Sequence, residues 1–416
     1  MLDFRLDKDQ INKIGNFSQE EKNFRIENLK NFNNLGFPNK RNEDWKFTDL
    51  KDLVSKNFKK LEIKSYDYKN QGVNYIKDFE HNYIALVNGK LIDNNFEFED
   101  KKKIKIEPFT NQNFSSMRES NPLVYLNHAL SDNGFSLEVE NNYRFKKILV
   151  IYNLFTKDLD ENILNTKNQI KIGKNSELHV IDYNLNKSKK NFFNNIYETL
   201  TLEDSSIFKS ISIQEGKNPG YFHKFVNNKL LSKSNYSSFI FPSGLKFNKV
   251  DLVFDLLGPF CECNLQAGSF LYQGDHQEIK TRINHFAPHC KSYQKVKNVL
   301  DSNSKGVYQG KIYVKDIAQK TDAYQLSKAI LLNENSEFDS KPELEIYADD
   351  VKCSHGSTSG NVDQDSVFYL MTRGLNKKES IKLLIKGFLN EIVDTIKNKS
   401  IREFIQNKLE RQVYDY

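Results

Sequence analysis

The residues best suited to chemistry lie between Tyr347 and Leu375, in YADDVKCSHGSTSGNVDQDSVFYLMTRGL. Two carboxylates (Asp349, Asp350), a thiol (Cys353) and an imidazole (His355) fall within seven residues. Read as one strand, Glu345 to His355 alternates its side chains with a period of two. Asp349, Val351, Cys353 and His355 would then share one face, and Asp350, Lys352 and Ser354 the other. Thiolate, imidazole and carboxylate on one face make a partial ligand set for iron or zinc. It is partial because a closed cluster or structural zinc site takes about four ligands, commonly several cysteines. Spacing alone equally accommodates Cys353 as a small buried hydrophobe and His355 as a hydrogen-bonded turn residue.

Other reactive groups are scattered. Cys261 and Cys263 fall on one strand face, and His276, His285, His289 and Cys290 follow. With no C-x2-C spacing, a permanent cluster enclosed by this chain is not indicated, and Cys261 and Cys263 read as buried residues. There is no G-x4-G-K-[ST], so no ATP site is expected, and no G-x-S-x-G elbow. The pair Asp349 and Asp350 raises a stand-alone metal-binding or carbohydrate-acting protein as an alternative. Glycoside hydrolysis, however, needs two carboxylates about 5 to 9.5 Å apart across a bond, and strand neighbours face opposite ways.

The 416-residue chain is long enough for two or three domains. Its 61 basic and 55 acidic residues leave a net charge of +6. They are interleaved, without the basic, aromatic-laced stripe of a nucleic-acid binder. Four cysteines are too sparse for a secreted disulfide framework. The start, MLDFRLDKDQINKIG, lacks an apolar signal region. The purest apolar run, Ile148 to Tyr152, is far short of the roughly 18 residues of a membrane span. A cytoplasmic protein with no membrane partner is expected.

Three regions must position these groups. Residues 1–140 read as helical and mixed. Ser18 with Glu21 forms a capping box, Gly36-Phe37-Pro38 stops the helix, and Trp45 anchors the N-terminal helices on the core. Asn88-Gly89 predicts a hairpin over Tyr83 to Ile92, and Pro122 to Leu130 a short helix. Residues 141–360 carry short strands, with a loose tag recurring at Asn175-Ser-Glu-Leu, Asp204-Ser-Ser-Ile, Tyr236-Ser-Ser-Phe and Asn335-Ser-Glu-Phe. A β-solenoid and a β-sandwich both fit. Residues 361–416 predict three helices, started by Asp363, Asn376 with Glu379, and Ser400 with Glu403, which either cap the solenoid end or dock a partner.

The segment ADDVKCSHGSTSGNVDQDSVFYLMTRGL resembles the hallmark of the SufD family of SUF-system iron–sulfur cluster assembly subunits, roughly DDVxCSHGAT-x-G-x-x-D-x4-FYLxxRG. The likeness runs on through KTDAYQLSKAILLNENSEFDSKPELEIYADD and HFAPHCKSYQKVKNVLDSNSKGVYQGKIYV, and RNEDWKFTDL matches another family motif. Ser357 and Ser359 depart from the pattern, where Ala and Val are common. The related SufB segment lacks the DDVxCSHG wording.

The resemblance implies a mainly β protein, a right-handed parallel β-helix flanked by helical regions. It implies a non-catalytic scaffold subunit, in iron–sulfur assembly or iron acquisition. It also implies pairing with the paralogue SufB through the β-helix end and with the ATPase SufC through the C-terminal helices, with apo-proteins served indirectly. A transient iron–sulfur cluster would be shared at the subunit interface. His355 would be its ligand, Cys353 an auxiliary thiol, Asp349 and Asp350 orienting groups, and His289 and Cys290 a surrounding layer.

Overall fold

The computed structural model describes residues 6–15, 17–63, 72–109, 121–215 and 218–414. The N-terminal region holds α1 (Asp9–Ile14), α2 (Gln19–Leu35), α3 (Leu50–Asn57), the hairpin β1 (Asn82–Val87) and β2 (Lys90–Asn95), β3 (Ile104–Pro108), α4 (Pro122–Leu130) and β4 (Phe135–Val139). The solenoid proper follows: β5 (Leu149–Phe155), β6 (Ile163–Ile172), β7 (Glu177–Asn186), β8 (Phe192–Leu202), β9 (Ile207–Glu215), β10 (Asn218–Leu230), β11 (Asn235–Phe241) and β12 (Leu245–Leu256). It continues with β13 (Glu262–Leu271), β14 (His276–His285), β15 (Lys291–Leu300), β16 (Lys305–Val314), β17 (Asp322–Leu331), β18 (Glu337–Ile346) and β19 (Lys352–Asn361). Helices α5 (Gln364–Thr372), α6 (Lys377–Val393) and α7 (Lys399–Tyr414) complete the chain.

Successive strands alternate between two sheets. From β5 onward the odd strands stack in one and the even strands in the other, each pairing in parallel with the strand one coil away. The result is a parallel β-solenoid of about seven turns, not a sandwich. The sheets begin before residue 141: β1 pairs in parallel with β5, and β4 with β6. The lumen is mainly apolar, with Leu137, Ile170, Leu200, Leu252, Leu265 and Val296 in one continuous cluster. Inward residues recur every second position, because strand side chains alternate and each coil buries its inner row on the next.

Local signals account for the flanks. Asn88 (φ 47) and Gly89 (φ 87) form the β1–β2 turn. Asn376 and Glu379 form a complete capping box on α6, and Asp363 caps α5. The cap of α7 is Asn398 and not Ser400: Asn398 Oδ1 accepts the Ile401 N–H at 3.1 Å. Trp45 is buried on the outer face of the even-strand sheet, with the Lys249 ammonium 4.7 Å from its ring centroid. Lys249 Nζ lies 2.7 Å from Glu278 and 3.5 Å from Asp251, and donates to the Asp44 carbonyl at 3.0 Å.

Helices α6 and α7 do not cap the solenoid end. They cover the outer face of the odd-strand sheet. Ile392, Ile401 and Ile405 pack on Tyr152, Tyr183 and Ile211, and Ile385 and Leu389 on Phe270 and Val299. Lys297 fixes α6 there: its Nζ donates to the Phe388 carbonyl at 3.0 Å and pairs with Glu391. Among the described residues no helix is long and apolar enough to cross a membrane.

Candidate functional site

The solenoid ends open. Among the described residues, strands β18 and β19 are the last of their sheets, and each has a strand on one side only. The Lys352 N–H donates to the Thr321 carbonyl at 2.8 Å, so the Lys352 backbone faces β17. Ladder alternation then turns the N–H and C=O groups of Cys353, His355 and Ser357 to the free edge.

The side chains of these three residues belong to the inner row. Cys353 is half-buried against Ala348, Val351 and Ile312, and burial first, then the neighbouring Asp322, pushes its thiol up. Ser357 Oγ accepts from Ser327 Oγ at 2.9 Å. His355 is exposed and stands in register with Gln325, which stands in register with Gln294. Both glutamines are buried, and the Tyr308 hydroxyl lies 3.1 Å from Gln325 Oε1 and 3.2 Å from Gln294 Oε1. His355 is thus the outermost member of a polar column, presented where no further coil covers it. Cys353, two positions earlier, supplies a thiol on the same face.

The carboxylates are placed otherwise than a single strand predicts. β18 stops at Ile346 and β19 starts at Lys352, because the chain must turn here from one sheet to the other. Asp349 and Asp350 lie in that corner, both exposed. Asp350 pairs with Lys320, and its N–H donates to Gln319 Oε1 at 2.9 Å. Strand alternation therefore does not align Asp349 with His355, and the Asp350 carboxylate is engaged on the corner.

His289 and Cys290 belong to a different structure, repeated along the same corner. Once per coil a residue with positive φ precedes a hydroxyl or thiol: Asn175-Ser176, Ser205-Ser206, Lys233-Ser234, Phe260-Cys261, His289-Cys290 and Lys320-Thr321. In most coils the hydroxyl or thiol caps the carbonyl three residues back, while Ser176 donates to the Glu140 and Lys174 carbonyls. Ser234 donates to Leu231 O at 2.6 Å, Cys261 to Gly258 O at 3.1 Å and Thr321 to Ala318 O at 2.8 Å. Cys290 donates instead to Gly258 O at 3.3 Å. Cys261 and Cys290 are wholly buried members of this ladder. Cys290 directly precedes β15, two strand spacings from β19, or roughly 10 Å. His289 stacks on Phe260 outside the corner, ring centroids 4.8 Å apart. Neither is a direct neighbour of His355. Periodicity could have found the ladder had thiols been read as equivalents of serine.

Cys263 is separate again. It lies in the inward column Cys263, Ser292, Ala323, Cys353, three strand spacings from the last, and burial pushes its thiol up. Among the described residues no group of three or more His, Cys, Asp or Glu side chains is placed to hold a metal ion. The open end presents one imidazole and one thiol, not a closed set of four ligands.

A second exposed surface follows directly. Helix α5 turns Phe368, Tyr369 and Met371 to solvent, with Phe368 68% exposed. The sequence predicts a helix here, and helical periodicity does not show which of its sides stays uncovered.

Comparison with known proteins agrees with this architecture. Residues 155–388 match the family model described as SUF system FeS cluster assembly, SufBD core domain. The iron-sulfur cluster assembly protein SufD of Escherichia coli is 22% identical over 374 residues, covering 88% of this chain and 87% of that protein. The iron-sulfur cluster assembly SufBD family protein slr0076 of Synechocystis is 25% identical over 388 residues, covering 88% and 86%. SufD of Bacillus subtilis is 30% identical over 137 residues, covering 33% and 31%. The match spans the solenoid from the end of β5 through α5 into α6, including the open end, and on that ground the chain belongs to the SufBD family of the SUF iron–sulfur cluster assembly system.

Proposed function

We propose that the chain is a non-catalytic scaffold subunit on which iron–sulfur clusters are built together with a SufB paralogue and the ATPase SufC. The observation that carries this reading is the open solenoid end. His355 and Cys353 stand there on a strand whose outer backbone groups have no partner strand. An unpaired edge is a template for another strand. A paralogue docked end to end would continue both sheets and bring its own ligands to His355 and Cys353. The cluster is cargo in this scheme. Imidazole and thiolate both suit iron, and a cluster held by few ligands from each chain can be passed on, whereas a closed four-cysteine site retains it.

SufC is assigned to the C-terminal helices, and the exposed apolar side of α5 supports that. α6 and α7 spend their apolar faces on the solenoid, while Phe368, Tyr369 and Met371 have no cover. A cytoplasmic location and delivery to apo-proteins complete the proposal.

The edge can be tested by itself. The Ser357 N–H faces outward, so Ser357→Pro removes an edge donor and no internal ladder bond, at the loss of the one side-chain bond from Ser327. The variant is expected to fold and to lose co-purification with SufB. A folded variant that still co-purifies with SufB at the wild-type level refutes docking through this edge.

A further inference from the structure

The lumen is not apolar throughout. Asp182 on β7, Glu198 on β8 and Lys224 on β10 point inward and meet between the sheets. Lys224 Nζ lies 3.0 Å from Asp182 Oδ2 and 3.2 Å from Glu198 Oε2. Burial would depress the Lys224 ammonium, but the two carboxylates outweigh it and hold its pKa above the ordinary lysine value. Asp182 also accepts from Asn153 Nδ2 at 2.6 Å. Two carboxylates against one ammonium leave the cluster one negative charge in excess. The three side chains are only 14–22% accessible, and a charge so largely removed from water is costly to leave uncompensated.

These groups line an internal cavity of about 80 Å³. Two further side chains face it with an oxygen to spare. Asn228 is wholly buried and Asn168 is 6% exposed, and among the described residues the Oδ1 of each has no hydrogen-bond partner. The Asn228 amide is oriented by a backbone carbonyl outside the cluster, whereas the Asn168 amide is oriented by Glu198 itself. Asn228 Nδ2 donates to the Val253 carbonyl at 2.9 Å, and Asn168 Nδ2 to Glu198 Oε2 at 3.4 Å. The cavity therefore combines excess negative charge with surplus acceptor oxygens. It has room for a small occupant, and water alone would satisfy the acceptors without balancing the charge.

We propose that this cavity is a binding site for a monovalent alkali cation, held by carboxylate oxygens of Asp182 and Glu198 and the amide oxygens of Asn168 and Asn228. An all-oxygen donor set selects hard cations over iron or zinc. A single positive charge neutralises the cluster, whereas a divalent ion would leave an equal excess of the opposite sign. The ion joins side chains from β6, β7, β8 and β10 and so ties the two sheets together across the lumen, far from the open end. It is independent of the assembly role proposed above.

The test is a crystal of the full chain grown with rubidium chloride and measured at the rubidium edge. An anomalous peak between Asp182 and Glu198 is expected. A cavity that is empty or holds only water overturns the assignment. In solution, replacing choline chloride by potassium chloride at equal concentration should raise the wild-type Tm by roughly 2–4 °C, as ligation of the folded state alone requires. Equal Tm values in the two salts overturn it as well. Glu198→Gln keeps the side-chain shape and removes the excess charge, and it is expected to abolish both the peak and the salt preference. A rubidium peak that persists in that variant contradicts the charge argument. Should Glu198→Gln not fold, Asn228→Leu in the same two measurements replaces it.

Discussion

His355 stands in register with Gln325, yet one side chain is exposed and the other buried. The difference is position in the stack. Gln325 has a coil above it, whereas His355 lies on the final strand and meets whatever docks there. A histidine exposed in this way contributes little to its own fold. His355→Ala is expected to change stability by no more than about 0.5 kcal/mol in thermal or denaturant unfolding. A much larger loss would mark His355 as a structural residue.

The corner ladder predicts opposite outcomes for two substitutions of one thiol. Ser206 and Ser234 already occupy positions equivalent to Cys261, so Cys261→Ser is expected to fold and to cost less than about 1 kcal/mol. Cys261→Val, which leaves carbonyls uncapped, should cost about 1–3 kcal/mol by urea unfolding. Neither should affect cluster formation. A selective loss of clusters in Cys261→Ser would make that thiol a ligand.

The N-terminal region is held by buried charges whose titration can be read. Burial would raise Asp251, but Lys249 and the neighbouring cations outweigh it and hold its carboxyl at about 2, and Glu278 lies further below the usual range for the same reason. Depressed carboxylates contribute stability that is fully present above their unfolded values, near pH 4, and is lost as pH falls through the folded values. Tryptophan fluorescence of Trp45 should therefore stay native-like down to roughly pH 4 and change between about pH 4 and 2. Lys249→Met, which strands Glu278 and Asp251, should cost about 3–5 kcal/mol and move that transition to higher pH. An unchanged acid transition in this variant would place the anchoring elsewhere.

The proposed docking of SufC uses α5 and not the buried faces of α6 and α7. Phe368→Ala combined with Tyr369→Ala should leave the Tm within a few degrees and weaken SufC binding at least tenfold in a titration. Removal of residues 376–416 leaves α5 in the chain but uncovers Tyr152, Tyr183 and Phe270, so the loss of docking expected on that deletion reports the support of α5 and the fold together. Undiminished SufC binding by the double variant would move the interface off α5.

Much of this was legible in the residues. Alternating short strands gave a β architecture, Asn88-Gly89 gave the hairpin, and Pro122, Asp363 and Asn376 gave helix starts that the structure keeps, because these signals act through local backbone geometry. The solenoid repeat was visible only in part. The tag at Tyr236-Ser-Ser lies within β11, and Asn335-Ser lies on the opposite corner. The true repeat passes through Phe260-Cys261 and His289-Cys290, where thiols replace hydroxyls and disguise the period. The placement of Asp349 and Asp350 was misread because a strand period cannot show where a coil turns. The charges of Asp182, Glu198 and Lys224 were invisible, since alternation identifies an inward position but does not anticipate a charge there.

The most direct measurement is anaerobic co-purification of this chain with SufB and SufC, followed by an absorption spectrum, with His355→Ala run alongside. The wild-type complex should contain all three subunits and show a cluster band, and His355→Ala should assemble equally well with a clearly weaker band. A complex of unchanged composition and unchanged band in His355→Ala would remove His355 as a ligand. Failure of the wild-type chain to join SufB and SufC at all would contradict the scaffold role itself.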